Sequence, residues 1–131
     1  MSAHIPSHLS ELPIYKQAMQ IFNLSRSISS YLNQDLAYLY EDGKEDANIY
    51  VSGDIVQQSE SLAPEIINAE LQRHSDKKHK HIASVNLLTN RLYRNCKRLE
   101  SCNSNGKDYL PILKREIKKF RQLQSTWMLT L

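Results

Sequence analysis

Basic side chains recur at helical spacing in the last third of the chain. They form two rows, one of Arg91, Arg94, Lys97 and Arg98 and one of Lys114, Lys118 and Arg121. Steps of three and four residues place side chains on one face of an α-helix. If the two helices are consecutive and antiparallel, both rows lie on one surface. Such a surface can bind the phosphates of a nucleic acid through charge, without reading the base sequence.

The distribution of charge along the chain leaves two interpretations of these rows open. Residues 1–72 contain three Lys or Arg and ten Asp or Glu, residues 73–131 contain fourteen and four, and the formal net charge is +3. The surplus favours a polyanionic partner, in which case Tyr93 and Tyr109 could stack on exposed bases. Alternatively, the basic rows are a solvated face that pairs with the carboxylates of the first half, within the chain or across subunits.

Residues that could bind a metal or perform catalysis do not form a recognisable set. His74, His79 and His81 lie among three lysines, and no carboxylate or cysteine completes the spacing of a zinc site. The acidic residues at 41–48 lack the pattern of a calcium-binding loop, and the sequence has no phosphate-binding glycine loop or nucleophile motif. We therefore predict no metal, no cofactor and no enzymatic activity. A small helical enzyme remains an alternative that would require a bound metal or cofactor.

Apolar residues at alternating steps of three and four predict the helices that position the basic rows. We expect helices at about residues 13–40, 52–74, 76–102 and 108–127, with a surface loop at 41–48 and a loose tail at 1–11. Their predicted buried faces are, in chain order, Ile14, Ala18, Ile21, Ser25, Ile28 and Leu32; Ile55, Ser59, Leu62, Ile66 and Ala69; Ile82, Val85, Thr89, Leu92, Cys96 and Leu99; and Leu110, Leu113, Ile117, Phe120, Gln124 and Trp127. Trp127 is expected to fill the core or to contact another subunit.

Single residues predict where these helices begin, bend and end. Asp54 is expected in the first turn of the second helix, where a carboxylate suits the positive helix end, and Ser75 is expected to cap the third helix. Pro64 should kink the second helix without breaking it; a break would give five helices instead of four. Gly106 is expected to adopt the left-handed conformation that closes a helix.

These elements predict one domain of residues 1–131 with an all-α fold, an antiparallel up-down-up-down four-helix bundle. A chain of this size can bury a core without disulfides or metals. Cys96 and Cys102 are six residues apart on one predicted helix and poorly placed to bridge each other, which favours reduced thiols and a cytoplasmic location. We expect neither a secretion signal nor a membrane span.

The order of the four predicted helices resembles a small four-helix-bundle family. This family includes ribosomal-RNA intervening-sequence proteins and the Avd accessory proteins of diversity-generating retroelements. The resemblance is carried by IYKQAMQIFNLSRSI (Ile14–Ile28), by DIVQQSESLAPEIINAE (Asp54–Glu70), and by the stretch from LLTNRLYRNCKRLE to FRQLQSTW (Leu87–Trp127). A basic final helix that closes with Trp127 is similar to the Avd branch.

The resemblance implies an assembly and a role. Members of the family form homopentameric barrels and are not enzymes, and Avd proteins bind nucleic acid and a partner reverse transcriptase. By resemblance, we expect a barrel-like homo-oligomer, a pentamer, whose two basic rows hold template RNA or an RNA–DNA hybrid near the transcriptase. The alternative is a helical-bundle scaffold for protein–protein interactions that does not bind nucleic acid.

Overall fold

A computed structural model describes residues 5–37 and 43–131, and within these ranges the chain forms helices and connecting turns but no strand. The short helix α1 is followed by four long helices, and a 3-10 helix at Asn105–Tyr109 precedes the last of them. The bounds are α1, Ser7–Ser10; α2, Pro13–Leu36; α3, Asn48–Leu71; α4, Ser75–Leu99; and α5, Leu110–Met128. The all-helical prediction with four long helices is confirmed over the described residues.

The four long helices pack in a ring in which each contacts the next and α5 returns to α2. Ser29, late in α2, lies 2.7 Å from Ser52, early in α3, measured between hydroxyl oxygens. Tyr31, late in α2, packs against Tyr109, just before α5, whereas Gln17, early in α2, donates to the backbone oxygen of Glu116, further along α5, at 3.0 Å. Side-chain contacts described below link α3 to α4 and α4 to α5 in the same opposed sense. Neighbouring helices therefore run in opposite directions.

The predicted apolar faces are the buried faces. Every residue assigned to them is buried, including all six on α5. Several positions between α2 and α3 are serines, among them Ser25, Ser29, Ser52 and Ser59. The Ser29 hydroxyl also reaches the Ser52 backbone oxygen at 3.1 Å, so these two serines join α2 to α3. Apolar periodicity therefore fixes which face of each helix points inward.

The bounds of α2 and α3 differ from expectation at the acidic loop. The described part of α2 ends at Leu36, and the predicted continuation at residues 38–40 lies outside the described residues. α3 begins at Asn48, four residues early, because the Asp46 carboxylate accepts a hydrogen bond from the Asn48 backbone at 2.9 Å. Asp54 therefore lies in the second turn, and its predicted place in the first turn is wrong. Pro64 lies inside α3, which continues to Leu71 without a break, as predicted.

Three expectations about helix ends are corrected. α4 starts at Ser75, but the capping position belongs to His74, and no side chain caps the helix. α4 ends at Leu99, so Cys102 lies beyond it, and both Cys96 and Cys102 are buried free thiols. Gly106 is not left-handed: among the described residues only a glycine of the acidic loop has positive φ, at 81°.

Gly106 is required instead by a close approach of two segments. A Cβ at this position would lie 2.6 Å from Tyr31 Cδ1 and 3.1 Å from Leu32 Cδ2. Any larger residue would therefore force the Tyr31 side chain, and to a smaller degree Leu32, to move.

Part of the segment predicted to be a loose tail, residues 1–11, is helical instead. Leu9 is buried within α1.

Of the helices in the described ranges, none has the length and apolarity that a bilayer crossing requires.

Candidate nucleic-acid interface

Five of the seven candidate residues are exposed cations, and four of these lie on the outer sides of α4 and α5. These four are Arg94, Lys97, Arg98 and Lys118, and none forms an ion pair with any residue in the described ranges. Each lies outside the buried stripe of its helix, because the buried residues recur at steps of three and four between them. These side chains are thus available to a ligand that carries negative charge.

Arg115 belongs to the same surface, although its position was not among the predicted site residues. It is exposed, lies three residues before Lys118 on α5, and has no ion-pair partner among the described residues. The signal was in the sequence, since a spacing of three residues places both side chains on one helix face. We call Arg94, Lys97, Arg98, Arg115 and Lys118 the outer basic face.

Lys114 differs from the outer basic face because its charge is already paired. Its Nζ lies 2.8 Å from Glu100 Oε1, and only 22% of the Lys114 side chain is exposed. The hydrogen bond to Glu100 raises the pKa of the Lys114 ammonium group above its ordinary value, against the opposing effect of burial. This contact joins the C-terminal end of α4 to the start of α5. Lys114 therefore stabilises the helix pair more than it adds free charge.

Arg121 is held in the groove between α4 and α5. Its Nη2 donates to Asn90 Oδ1 at 3.1 Å, and its guanidinium carbon lies 4.9 Å from the centre of the Tyr93 ring. The Lys114 Nζ lies 5.6 Å from the same ring. Tyr93 is thus packed against two cations, which favour the face of an aromatic ring. A base that stacks on Tyr93 would therefore lie close to both cations.

Tyr109 lies on the other side of α5 from these contacts. Its ring packs edge-on against Tyr31 of α2, with 5.7 Å between ring centres and 63° between planes. It is 47% exposed. The two tyrosines singled out in the sequence are therefore not brought together.

Arg91 lies at the other edge of α4 and faces α3. It lines a groove with Asp54, Gln57 and Gln58. No ion pair forms between Arg91 and any described residue. The predicted rows are therefore split into three environments: the outer basic face, the α4–α5 groove that holds Lys114 and Arg121, and the α3–α4 groove lined by Arg91.

The carboxylates of the first half are not used to neutralise the seven candidates within the described residues. α3 contains four carboxylates and no Lys or Arg. Two of them have other partners: Glu65 Oε2 lies 2.8 Å from His81 Nδ1, and Glu70 Oε1 accepts from Trp127 Nε1 at 2.8 Å. The indole hydrogen bond joins the end of α5 to α3. Trp127 is buried in the core, which was one of the two roles predicted for it.

Neither cysteine has the environment of a nucleophile. Burial raises the pKa of the Cys96 thiol to about 12, and the nearby Glu100 carboxylate adds to this effect. Burial also raises the pKa of Cys102 above its ordinary value. A thiol with a raised pKa stays protonated and unreactive near neutral pH. In residues 5–37 and 43–131, no group of three or more His, Cys, Asp or Glu is placed to hold a metal ion.

Comparison of the chain with protein-family models, with curated proteins and with solved structures gives no significant match.

Proposed function

We propose that this protein is a non-enzymatic nucleic-acid-binding protein of the cytoplasm that contacts phosphates through α4 and α5. The observation that supports this proposal is the outer basic face, five exposed cations without ion-pair partners among the described residues. Such side chains bind phosphate by charge and release the counterions of the nucleic acid. The two helices together contain twelve Lys or Arg but only Asp76 and Glu116 as acids, so little opposes a polyanion on this side.

The resemblance noted in the sequence extends this proposal. If the chain acts as Avd proteins do, it assists a retroelement reverse transcriptase, and the strand it holds is template RNA or an RNA–DNA hybrid. The chemistry then belongs to the partner enzyme. The resemblance also implies a homopentamer, which for a chain of 15.2 kDa would sediment at about 76 kDa. A monomer at micromolar concentration in analytical ultracentrifugation would reject the pentameric barrel while leaving nucleic-acid binding open.

Charge reversal tests the proposed surface. The triple variant Arg94→Glu, Arg98→Glu, Lys118→Glu changes the formal net charge from +3 to −3, because each substitution removes two charge units. All three residues are exposed, so helix content by circular dichroism should not change. We expect this variant to lose binding to a fluorescent single-stranded RNA at low salt, measured by anisotropy. Failure of the unmodified protein to bind at low salt would reject the proposed function.

A matched control separates the surface from the net charge. The variant Lys16→Glu, Arg26→Glu, Arg73→Glu also takes the formal net charge from +3 to −3, but its residues lie outside α4 and α5. We expect it to retain most of the affinity. An equal loss in both triple variants would mean that total charge, and not the outer basic face, determines binding.

A protein-interaction scaffold is the second candidate, and the C-terminal end of α5 favours it. Met128 is 46% exposed and Leu129 is 88% exposed. Apolar side chains this open at a helix end suit a contact with another protein. Salt-insensitive assembly without any RNA binding would support this candidate over the first.

A further inference from the structure

The groove between α3 and α4 lies directly beside the outer basic face. Its volume is about 460 Å³, within the range of sites that hold small ligands. Its lining residues are Asp54, Gln57, Gln58 and Ser61 of α3 with Leu88 and Arg91 of α4. Arg91 precedes Arg94 by three residues, so a strand held on the outer basic face passes the mouth of this groove.

The groove contains a carboxylate acceptor, Asp54, and a guanidinium donor, Arg91, that are not paired with each other. Neither Asp54 nor Arg91 forms an ion pair with any described residue. Asn95 of α4 donates to Gln58 of α3 at 3.1 Å, which sets the register of the helices. Asp54 and Arg91 both line the groove. Their charged groups are more than 4.0 Å apart, since they form no ion pair.

The amide groups of the groove are also arranged for a polar ligand. The carbonyl oxygen of Gln58 accepts from Asn95, so the Gln58 amide keeps its two N–H donors for another partner. Leu88 supplies the apolar side of the groove. A carboxylate at the border of a phosphate-binding surface repels phosphate, so Asp54 suits a ligand part that donates hydrogen bonds.

We propose that this groove binds an unpaired guanine of the strand held by the outer basic face. This inference rests on the proposed function. Guanine has two adjacent donors, N1–H and N2–H, which match the two oxygens of the Asp54 carboxylate. On its other edge, O6 and N7 are adjacent acceptors, which arginine contacts with two hydrogen bonds. The N1 and N2 donors are occupied in a base pair, so the groove selects single-stranded regions.

The test compares short RNAs that differ in one base. A fluorescent oligouridine of about twelve nucleotides is compared with the same strand carrying one central guanosine, inosine or 7-deazaguanosine. We expect guanosine to tighten binding about ten-fold, the lower end of the discrimination that one bidentate contact provides. Inosine lacks the N2 donors and 7-deazaguanosine lacks N7, so each should lose most of that gain. Equal affinity for oligouridine and the guanosine strand would overturn the inference and leave the proposed function intact.

Variants assign the preference to the groove. Asp54→Asn keeps the side-chain size, and we expect it to bind oligouridine at least as well as the unmodified protein but to lose the guanosine preference. Glu60→Gln makes the same change of charge on α3 at an exposed position that does not line the groove, and it should keep the preference. A preference that persists in Asp54→Asn would show that another site reads the base.

Two further outcomes separate the inference from the proposed function. If the unmodified protein binds none of these strands, both the inference and the proposed function are rejected. Free guanosine monophosphate that competes as well as the guanosine strand would indicate a mononucleotide site and overturn the assignment to a strand.

Discussion

If the protein binds RNA as proposed, the salt dependence of binding can be calculated from the outer basic face. Each phosphate neutralised on a single strand contributes about −0.7 to the slope of log K against log salt concentration. Five unpaired cations therefore predict a slope of about −3.5 if all five contact phosphate. Between 50 and 200 mM salt, this slope corresponds to a loss of affinity of about 130-fold. Fluorescence anisotropy with an oligouridine strand at four or five salt concentrations measures it directly.

Two lysine variants test the distinction between free and paired cations. Lys118→Gln removes one unpaired charge, so the slope should fall to about −2.8 and the loss to about 50-fold. Lys114→Gln removes a charge already paired with Glu100 at 2.8 Å, so the slope should stay near −3.5 although the affinity decreases modestly. Equal slopes in the two variants, or a slope near zero in the unmodified protein, would refute the assignment of free charge to the outer basic face.

Three further predictions concern the core. Phe120→Ala should lower the free energy of unfolding by about 3–5 kcal/mol in urea denaturation, because the side chain is fully buried. Ser25→Ala should leave that free energy unchanged or raise it by up to about 1 kcal/mol, since the Ser25 hydroxyl is buried without a hydrogen-bond partner among the described residues; a clear loss would reveal a partner. The pKa of the Cys96 thiol in the folded protein, about 12, exceeds its ordinary value of 9.0. The folded state therefore holds the thiol proton more tightly, and the free energy of unfolding should fall as pH rises from 9 toward 12. Cys96→Ala should reduce this fall, and an unchanged dependence of the unfolding free energy on pH would contradict the prediction.

The helices and their buried faces could be predicted because each face repeats over several turns. A single misleading residue cannot change a pattern set by six others, and even polar members such as Ser25 and Gln124 were assigned correctly to the core. Helix ends were less predictable because one local contact determines them. The Asp46 carboxylate starts α3 early, and no periodicity in the sequence indicates such a hydrogen bond.

The sequence predicted which residues belong to the candidate site, but not which of them contact an acid or a neighbouring helix. Helical spacing placed Arg94, Arg98 and Lys118 on exposed faces, as the structure does. The sequence did not show that Glu100, just past the end of α4, reaches across to Lys114. Nor did it show that Arg91 faces α3, because the side toward which a long side chain leans depends on which helix is packed beside it.

The acidic composition of α3, beside a basic α4, gives the bundle a permanent electric moment. Four carboxylates without a Lys or Arg on one helix, next to seven Lys or Arg on the adjacent one, orient the molecule in the field of an approaching polyanion before any contact forms. If a strand binds along α4 as proposed, the carboxylates of α3 would repel its phosphates on that side. The acidic α3 would thus form a repulsive border along one side of the basic α4.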